Sequence, residues 1–472
     1  MANLIIWNSY LTDSPDSKKV SNSTIVRIAG PHELACWLEK FGYSVKVIDF
    51  CNTMPPEDVI KITEKHIDST TIAIGASSTF WNWTPQHIFG EPDWAVVARR
   101  EIEKNNPKLK WILGGDQILG KPFKFKWQKF HAFAEDSLLQ FMDDNTFAKE
   151  TRIKFDIKRL ERHFGDGADI KSHEVLPIQM SRGCQFKCAF CRYPLIGRKK
   201  GTYLRDFDLI EAEFLENYKK FGTTRYYFLD ETMNEDEEKI QKLADLAQRL
   251  PFKLEWIGYI RLDLINARPK SAELLKQSGM KSCFMGIESF HPTASQKVGK
   301  GWMGKNGKDY LLKLRDIWKD EITWKLGLII GLPGEPIESI YETNQWCIDN
   351  KMYSWDWRPL HINKTDVPGW KSEFDINYEK YGYRYLNADN DLEWTSDHFT
   401  YTSAYKLYDK LANQSLQYRK VAAWRLGEYA AILNKSFDEL QHVYVKDINF
   451  DDIEIKANKF VKEYTFNQLR GM

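Results

Sequence analysis

The sequence predicts an α/β protein made of two successive strand–helix series and a helical tail. Three observations predict it. Short apolar runs ending in turn-formers alternate with amphipathic stretches over residues 1–150. The alternation restarts near residue 175 and repeats six times. Beyond about residue 365 the chain is first aromatic and irregular, then helical. At roughly 150 residues per domain, 472 residues suggest about three domains.

In the first series, Asn3–Trp7, Val45–Phe50, Thr71–Gly75 and Trp111–Leu113 read as strands, with His131–Phe133 a shorter fifth. Pro31–Phe41 reads as a helix because Leu34, Trp37, Leu38 and Phe41 fall at i, i+3, i+4, i+7, and Gly42 ends it. Pro56–His66, Asp93–Asn105 and Ser137–Asp143 complete it. Repeated βα units imply a doubly wound, flavodoxin-like parallel sheet over residues 1–150, with ligands at the carboxyl ends of its strands. Residues 151–174 are charged and read as a linker. The second series, 175–365, has strands at Val175–Met180, Thr224–Leu229, Lys253–Tyr259, Lys281–Gly286, Trp324–Ile330 and Asp356–His361. Its helices are Phe207–Phe221, Glu235–Leu250, Pro269–Ser278, Lys308–Trp318 and Pro336–Asn350. Six units fall short of the eight of a closed barrel, so a partial (β/α)6 TIM-like barrel is expected. Residues 366–472 form an aromatic and helical region.

Lys+Arg 67 against Asp+Glu 66 leaves +1, which argues against a general nucleic-acid or membrane-surface binder. No apolar run is long enough to span a bilayer, and Met1–Tyr10 lacks a secretory pattern, so a cytoplasmic location is expected. The basic-aromatic stretch Lys121–Phe130 and the loop Gly197–Gly201 read as solvated faces. Cys36, Cys51, Cys283 and Cys347 read as buried thiols, and His32 as a capping or surface residue.

Cys184, Cys188 and Cys191 follow the first strand of the second series with the spacing C-x3-C-x2-C. Three thiolates on one loop can hold three corners of a cubane and leave one iron open. Three cysteines plus a distant fourth ligand could instead bind zinc.

The C-x3-C-x-Φ-C motif, with Phe190 as Φ, resembles the signature of radical S-adenosylmethionine (SAM) enzymes. Further segments match in order: Tyr227–Glu231, Tyr259–Asp263, Gly286–Ser289 and Gly331–Glu335, each at a strand end. The resemblance implies a 4Fe–4S cluster on the three cysteines and SAM on its open iron, cleaved reductively to a 5′-deoxyadenosyl radical. It places Phe190 beside the adenine, Arg261 on the SAM carboxylate, Glu288 and Ser289 on the ribose or methionine part, and Asp230 toward SAM or substrate. Arg261 and Asp263 could equally form a rim salt bridge. Gly331–Gly334 could contact SAM or only shape the rim.

Residues 1–150 resemble the cobalamin-carrying domain of some of these enzymes. Ser77, Ser78, Thr79, Gly114 and Gly115 end its strands, and Glu135 lies in an acidic turn before its last helix. The D-x-H-x-x-G motif is absent and Tyr10–Arg27 offers no histidine. Cobalamin would bind without a protein histidine, or the domain has lost it. Trp355, Trp357, Trp370, Tyr378, Tyr381, Tyr383, Tyr385 and Trp394 follow the last strand, as a lid on the barrel mouth or a packing cap. The expected activity is an oxygen-sensitive, cobalamin-dependent C-methyltransferase acting on an unidentified small molecule or peptide, fed by a flavodoxin- or ferredoxin-type donor. The alternatives are a non-methylating radical rearrangement, oxidation or cleavage, and an Fe–S or zinc-bearing regulatory or scaffold protein.

Overall fold

The computed structural model describes residues 2–9, 25–77, 92–115, 127–129, 134–144, 155–165, 167–193, 195–362, 371–385 and 393–471. The first sheet comprises β1 (Leu4–Trp7), β2 (Val45–Ile48), β3 (Ala73–Ser77), β4 (Lys110–Gly114) and β5 (Gln128–Lys129). All pairs are parallel and the order is β2-β1-β3-β4-β5. That is the flavodoxin-like order, whose switch point falls between β1 and β3. Its helices are α1 (Ala29–Glu39), α2 (Pro56–Glu64), α3 (Asp93–Asn105) and α4 (Glu135–Asp144). The fifth strand lies earlier than expected, and residues 131–133 fall outside the described residues. So does most of the basic-aromatic stretch at 121–130.

The second sheet is open, parallel and six-stranded, in the order β11-β10-β9-β8-β7-β6. Its strands are β6 (Leu176–Ile178), β7 (Arg225–Phe228), β8 (Glu255–Ile260), β9 (Met280–Glu288), β10 (Thr323–Ile330) and β11 (Ser354–Pro359). Helices α5 (Phe207–Phe221), α6 (Glu237–Arg249), α7 (Leu262–Ala267), α8 (Lys270–Gln277), α9 (Pro292–Lys297), α10 (Gly301–Trp318) and α11 (Ile337–Asp349) connect them. Strand alternation sorts side chains between two faces. Tyr226, Phe228, Trp256, Leu326, Trp355 and Trp357 enter one core on the helix side. Tyr227 and Ile257 point the other way, into a core shared with the first domain and the tail.

The tail contains α12 (Glu373–Ile376), the hairpin β12 (Arg384–Tyr385) and β13 (Trp394–Thr395), α13 (Tyr401–Ser415), α14 (Trp424–Leu433), α15 (Phe437–Leu440) and α16 (Phe450–Arg470). Helix α14 lies against the inner faces of β7, β8 and β9. It approaches so closely that a Cβ on Gly427 would sit 2.5 Å from the Tyr227 hydroxyl. Helix α16 packs on α2, and Tyr464 accepts the backbone N–H of Asp49 at 3.0 Å.

Buried ion pairs join these regions. Arg27 contacts Asp49 at 2.6 Å and Glu174 at 2.7 Å. His32, expected at a cap or on the surface, is instead buried with Nε2 3.1 Å from Asp49. Arg162 lies 3.2 Å from Glu33 of α1 and 2.8 Å from Glu213 of α5. The charge in 151–174 therefore serves as a seam: Ile157, Leu160, Arg162, Phe164, Ile170 and Glu174 are all buried. The expectation of a free linker is corrected, because isolated charges are too costly to bury and these arrive with partners. Arg162→Met leaves Glu33 with Arg182 alone and Glu213 with Arg205 alone, and should cost up to about 3 kcal/mol, read as a lower urea midpoint.

Candidate active site

The site gathers at the carboxyl ends of the second sheet. Gly183, directly before Cys184, has φ +141, and a Cβ there would meet Arg198, Leu195 and Tyr203 at 3.1–3.3 Å. The loop is closed by Cys184 N–H to Leu195 O at 3.0 Å and Arg198 N–H to Cys184 O at 3.0 Å. A tight turn, Cys191 N–H to Cys188 O at 2.9 Å, brings the last two cysteines together. All three thiols are free of disulfides.

Beneath the loop lies a clamp that the sequence reading missed. Lys239 of α6 contacts Asp230 at 2.7 Å, Ser181 at 2.9 Å and Glu235 at 3.1 Å. Asp230 also accepts the Met180 N–H at 2.9 Å and the Ser181 hydroxyl. Fully buried with both oxygens engaged, Asp230 braces the loop and does not face SAM or substrate, which corrects its expected role. The reason is solvation: a carboxylate this deep needs a buried cation and N–H donors.

Arg261 follows β8. Its guanidinium holds Asp263 through two contacts of 3.1 and 2.7 Å, lies 4.0 Å over the Phe186 ring, and places Nη1 3.5 Å from Cys188 Sγ. The rim salt bridge is thus present, and the same guanidinium touches the cysteine loop. Asn234 fixes its backbone from both sides at 2.8 Å. Glu288 ends β9 in the left-handed region, φ +65, and pairs with Lys300 at 2.7 Å. Gly286 makes room, since a Cβ there would lie 2.5 Å from the Glu288 carboxylate. Lys300, also missed from sequence, lies 6.0 Å from the Phe190 ring and so links Glu288 to the aromatic of the cysteine motif. Ser289 donates to Glu335 at 2.8 Å rather than opening toward a ligand. Gly331, φ +93, turns beneath Tyr383 and Trp394, whose hydroxyl and ring pack on it. These two fully buried aromatics act as a packing cap, and Trp370 lies outside the described residues.

The donor set fits an iron–sulfur cluster. Burial raises the Cys184 thiol above its ordinary range and lifts Cys191 to about 11; each neighbouring thiolate adds to this. Burial thus disfavours the bare thiolates of Cys184 and Cys191, and bound positive charge would favour them.

In the first domain, Ser77 and Gly114 lie opposite each other at the ends of β3 and β4. A Cβ on Gly114 would meet nothing within 4 Å, and Gly115 has φ +110. Ser78 and Thr79 lie outside the described residues. Glu135 is committed elsewhere. It accepts from Arg182, which also holds Glu33 at 2.9 Å. Its expected cobalamin role is corrected, because Arg182 is itself buried and requires both carboxylates.

Residues 178–347 match the family model described as the radical SAM superfamily. Residues 178–347 are thus a radical SAM domain. The superfamily's cofactors are SAM and a 4Fe–4S cluster. The chain is 23% identical over 201 residues to bacteriochlorophyllide d C-12(1)-methyltransferase of Chlorobaculum tepidum, covering 42% of each. Over 189 residues it is 23% identical to an uncharacterized methyltransferase of Pyrococcus horikoshii, covering 40% of this chain and 39% of that one. The matched region thus spans about two-fifths of these relatives. The radical SAM methyltransferase TsrM from Kitasatospora setae, with cobalamin and a [4Fe-4S] cluster bound, has a TM-score of 0.59 at 15% identity, covering 83% of this chain and 82% of that one. The cobalamin-dependent enzyme OxsB, with aqua-cobalamin and SAM bound, has a TM-score of 0.53 at 14% identity, over 81% and 56%. Both share the fold of this chain. Among the described residues no helix is long and apolar enough to cross a membrane.

Glu335 gives this site a pH signature. Burial raises its carboxyl to about 7 from 4.5, and its Oε2 is buried without a partner. A folded pKa above the unfolded one means stability is intact below pH 4.5 and declines as pH rises toward 7. Glu335→Gln should remove that slope and gain up to about 3 kcal/mol over wild type above pH 7. Denaturant titrations of both proteins from pH 4.5 to 8 measure it.

Proposed function

We propose that this enzyme is a cobalamin-dependent radical SAM C-methyltransferase. One observation carries the methyl-transfer reading: Arg182, two residues before Cys184, is ion-paired to Glu33 of α1 and Glu135 of α4. The cysteine loop is thereby tied to the flavodoxin-like domain by two ion pairs, which suits a reaction shared between two cofactors. The methyltransferases among the relatives and the likeness to TsrM and OxsB support the same reading.

In this reading Cys184, Cys188 and Cys191 hold the 4Fe–4S cluster, while Ser77, Gly114 and Gly115 edge the cobalamin crevice. Reductive cleavage of SAM at such a cluster gives methionine and a 5′-deoxyadenosyl radical, and a corrinoid supplies a methyl donor. The chain's own residues orient and enclose. Lys239, Asp230 and Ser181 fix the base of the cysteine loop. Arg261 offers its guanidinium to the SAM carboxylate, held in place by Asp263 and Asn234. Glu288, steadied by Lys300, addresses the ribose or methionine part, and Phe190 flanks the adenine. The buried aromatics Tyr383 and Trp394 exclude water from the rim. The reading also calls for a flavodoxin- or ferredoxin-type electron donor and a reducing, anoxic cytoplasm. The missing histidine and the commitment of Glu135 favour the competing reading, radical chemistry without methyl transfer.

Anaerobic reconstitution with and without cobalamin separates the two. Methyl transfer yields S-adenosylhomocysteine and a methylated product by mass spectrometry, in a cobalamin-dependent way; 5′-deoxyadenosine alone supports the competitor. Alanine at Cys184, Cys188 or Cys191 should abolish the brown chromophore and all SAM cleavage. Arg261→Ala should keep the chromophore and weaken SAM binding about ten- to a hundredfold, from roughly 1.5–3 kcal/mol for one charge-assisted contact. Equilibrium dialysis with labelled SAM reads that change.

A further inference from the structure

A second group of metal-ligating side chains lies away from the barrel, where α1 meets the seam. Cys36 and Glu39 are three residues apart on α1 and so share one face of the helix. His163 comes to that face from the segment 155–165. Its imidazole Nε2 lies 3.4 Å from Glu39 Oε2. The Cys36 sulfur, the imidazole and the carboxylate each offer a ligand atom, all within 4.8 Å of one another.

The fold holds these groups in place. Both neighbours of His163 are anchored: Arg162 by Glu33 and Glu213, and Phe164 by burial against the His32 ring. The His163 backbone grips the cysteine from two sides. Its N–H donates to Cys36 Sγ at 3.3 Å, and the thiol donates to its carbonyl at 3.2 Å. Cys36 is buried, while the Glu39 and His163 side chains are 32% and 40% exposed. One wall of the group is therefore fixed, and the other is open to water and adjustable.

A surface ion pair would account for Glu39 and His163, but not for a thiol beside both. Thiolate and imidazole together select zinc over magnesium or calcium, which take oxygen ligands. The spacing fits as well. Bonds of about 2.0–2.2 Å to nitrogen and oxygen put the N···O edge of a tetrahedral zinc site at about 3.4 Å, the separation of Nε2 and Oε2 here. A bond of about 2.3 Å to sulfur puts the edges to Sγ at about 3.6 Å. Small torsions of the two exposed side chains reach that. A thiolate and a carboxylate neutralise Zn²⁺, so binding adds no net charge beside the buried Arg162. Burial pushes the Cys36 thiol up to about 12, and the His163 N–H works against that rise. The thiol therefore loses its proton to solvent as the metal binds, and the same N–H then supports the thiolate.

We propose that Cys36, Glu39 and His163 form a zinc site, with a water from the open side as fourth ligand, that staples α1 of the first domain to the segment leading into the barrel. It uses no residue of the cysteine loop and does not depend on the reaction proposed above.

Anaerobic equilibrium dialysis of the reconstituted full chain against buffered sub-micromolar zinc, with zinc and iron read by plasma mass spectrometry, tests it. Wild type should retain one zinc per chain. A variant with alanine at Cys184, Cys188 and Cys191 should retain the same zinc and no iron. His163→Ala and Cys36→Ser should lose the zinc and keep the iron of wild type. Changes outside the ligand shell already weaken zinc sites about 10- to 100-fold, so loss of a ligand should cost at least about a hundredfold in affinity. Zinc should also raise the urea midpoint of wild type and leave that of His163→Ala unchanged. His163 is exposed enough for its variant to fold if the Cys36 variant does not. Folded wild type without zinc, wild-type zinc content in His163→Ala, zinc lost from the triple-alanine variant, or an equal rise in midpoint with magnesium would overturn the proposal. A failure of the radical SAM reading would show in the iron content alone.

Discussion

The arrangement depends on one buried network of guanidinium and carboxylate groups. Glu33 of α1 binds both Arg162 and Arg182; Arg182 also binds Glu135 of α4, and Arg162 also binds Glu213 of α5. Arg205 meets Glu213 from the second series at 2.5 Å. Each charge is out of water and tolerable only with its partners in place, so removing one exposes the desolvation cost of the others. The network ties the helices of the first sheet to the second series. It also explains why Arg182 stands at the head of the cysteine loop: the residue that starts the loop is bonded to the other domain.

A second constraint comes from strand alternation in an open barrel. With six strands the inner face is not closed by its own layers, and it must be covered by other chain. Helix α14 supplies part of that cover, with Gly427 allowing close approach to Tyr227 and Ile257. The Tyr227 hydroxyl donates to Trp424 O at 2.9 Å, and Ala423 N–H donates to Ser282 at 2.7 Å. Where α14 stops, the inner face turns polar, and Lys325, Asp356 and Arg358 take over. The tail thus decides which part of the concave face is core.

Much of the fold was legible because period and punctuation are local. The helices Phe207–Phe221 and Asp93–Asn105 lie where their apolar spacing and turn residues put them. The strand ends shift by up to two residues, and the fifth strand of the first sheet by three to four, since a strand ends where its neighbour stops pairing. The C-x3-C-x2-C motif was legible for a related reason: cluster ligation requires particular residue types at fixed short spacing. Cys36, Cys51, Cys283 and Cys347, read as buried thiols from apolar context alone, are buried.

Roles that depend on a partner distant in sequence were not legible. Asp230 and Glu135 looked like site residues because they are acidic and follow strands or precede a helix. Their fate was set by Lys239 and Arg182, which no local pattern singles out. His32 is buried only because Asp49 and Arg27 come to it. Lys300 reaches Glu288 and the neighbourhood of Phe190 only once α10 folds back over β9. By itself the sequence determined the two strand–helix series, their direction and the cysteine loop, because these follow from the period of hydrophobicity and the spacing of ligands. The tertiary structure alone decided which charges are braces and which face open space, because a charge is defined by the partner and the solvent that folding gives it.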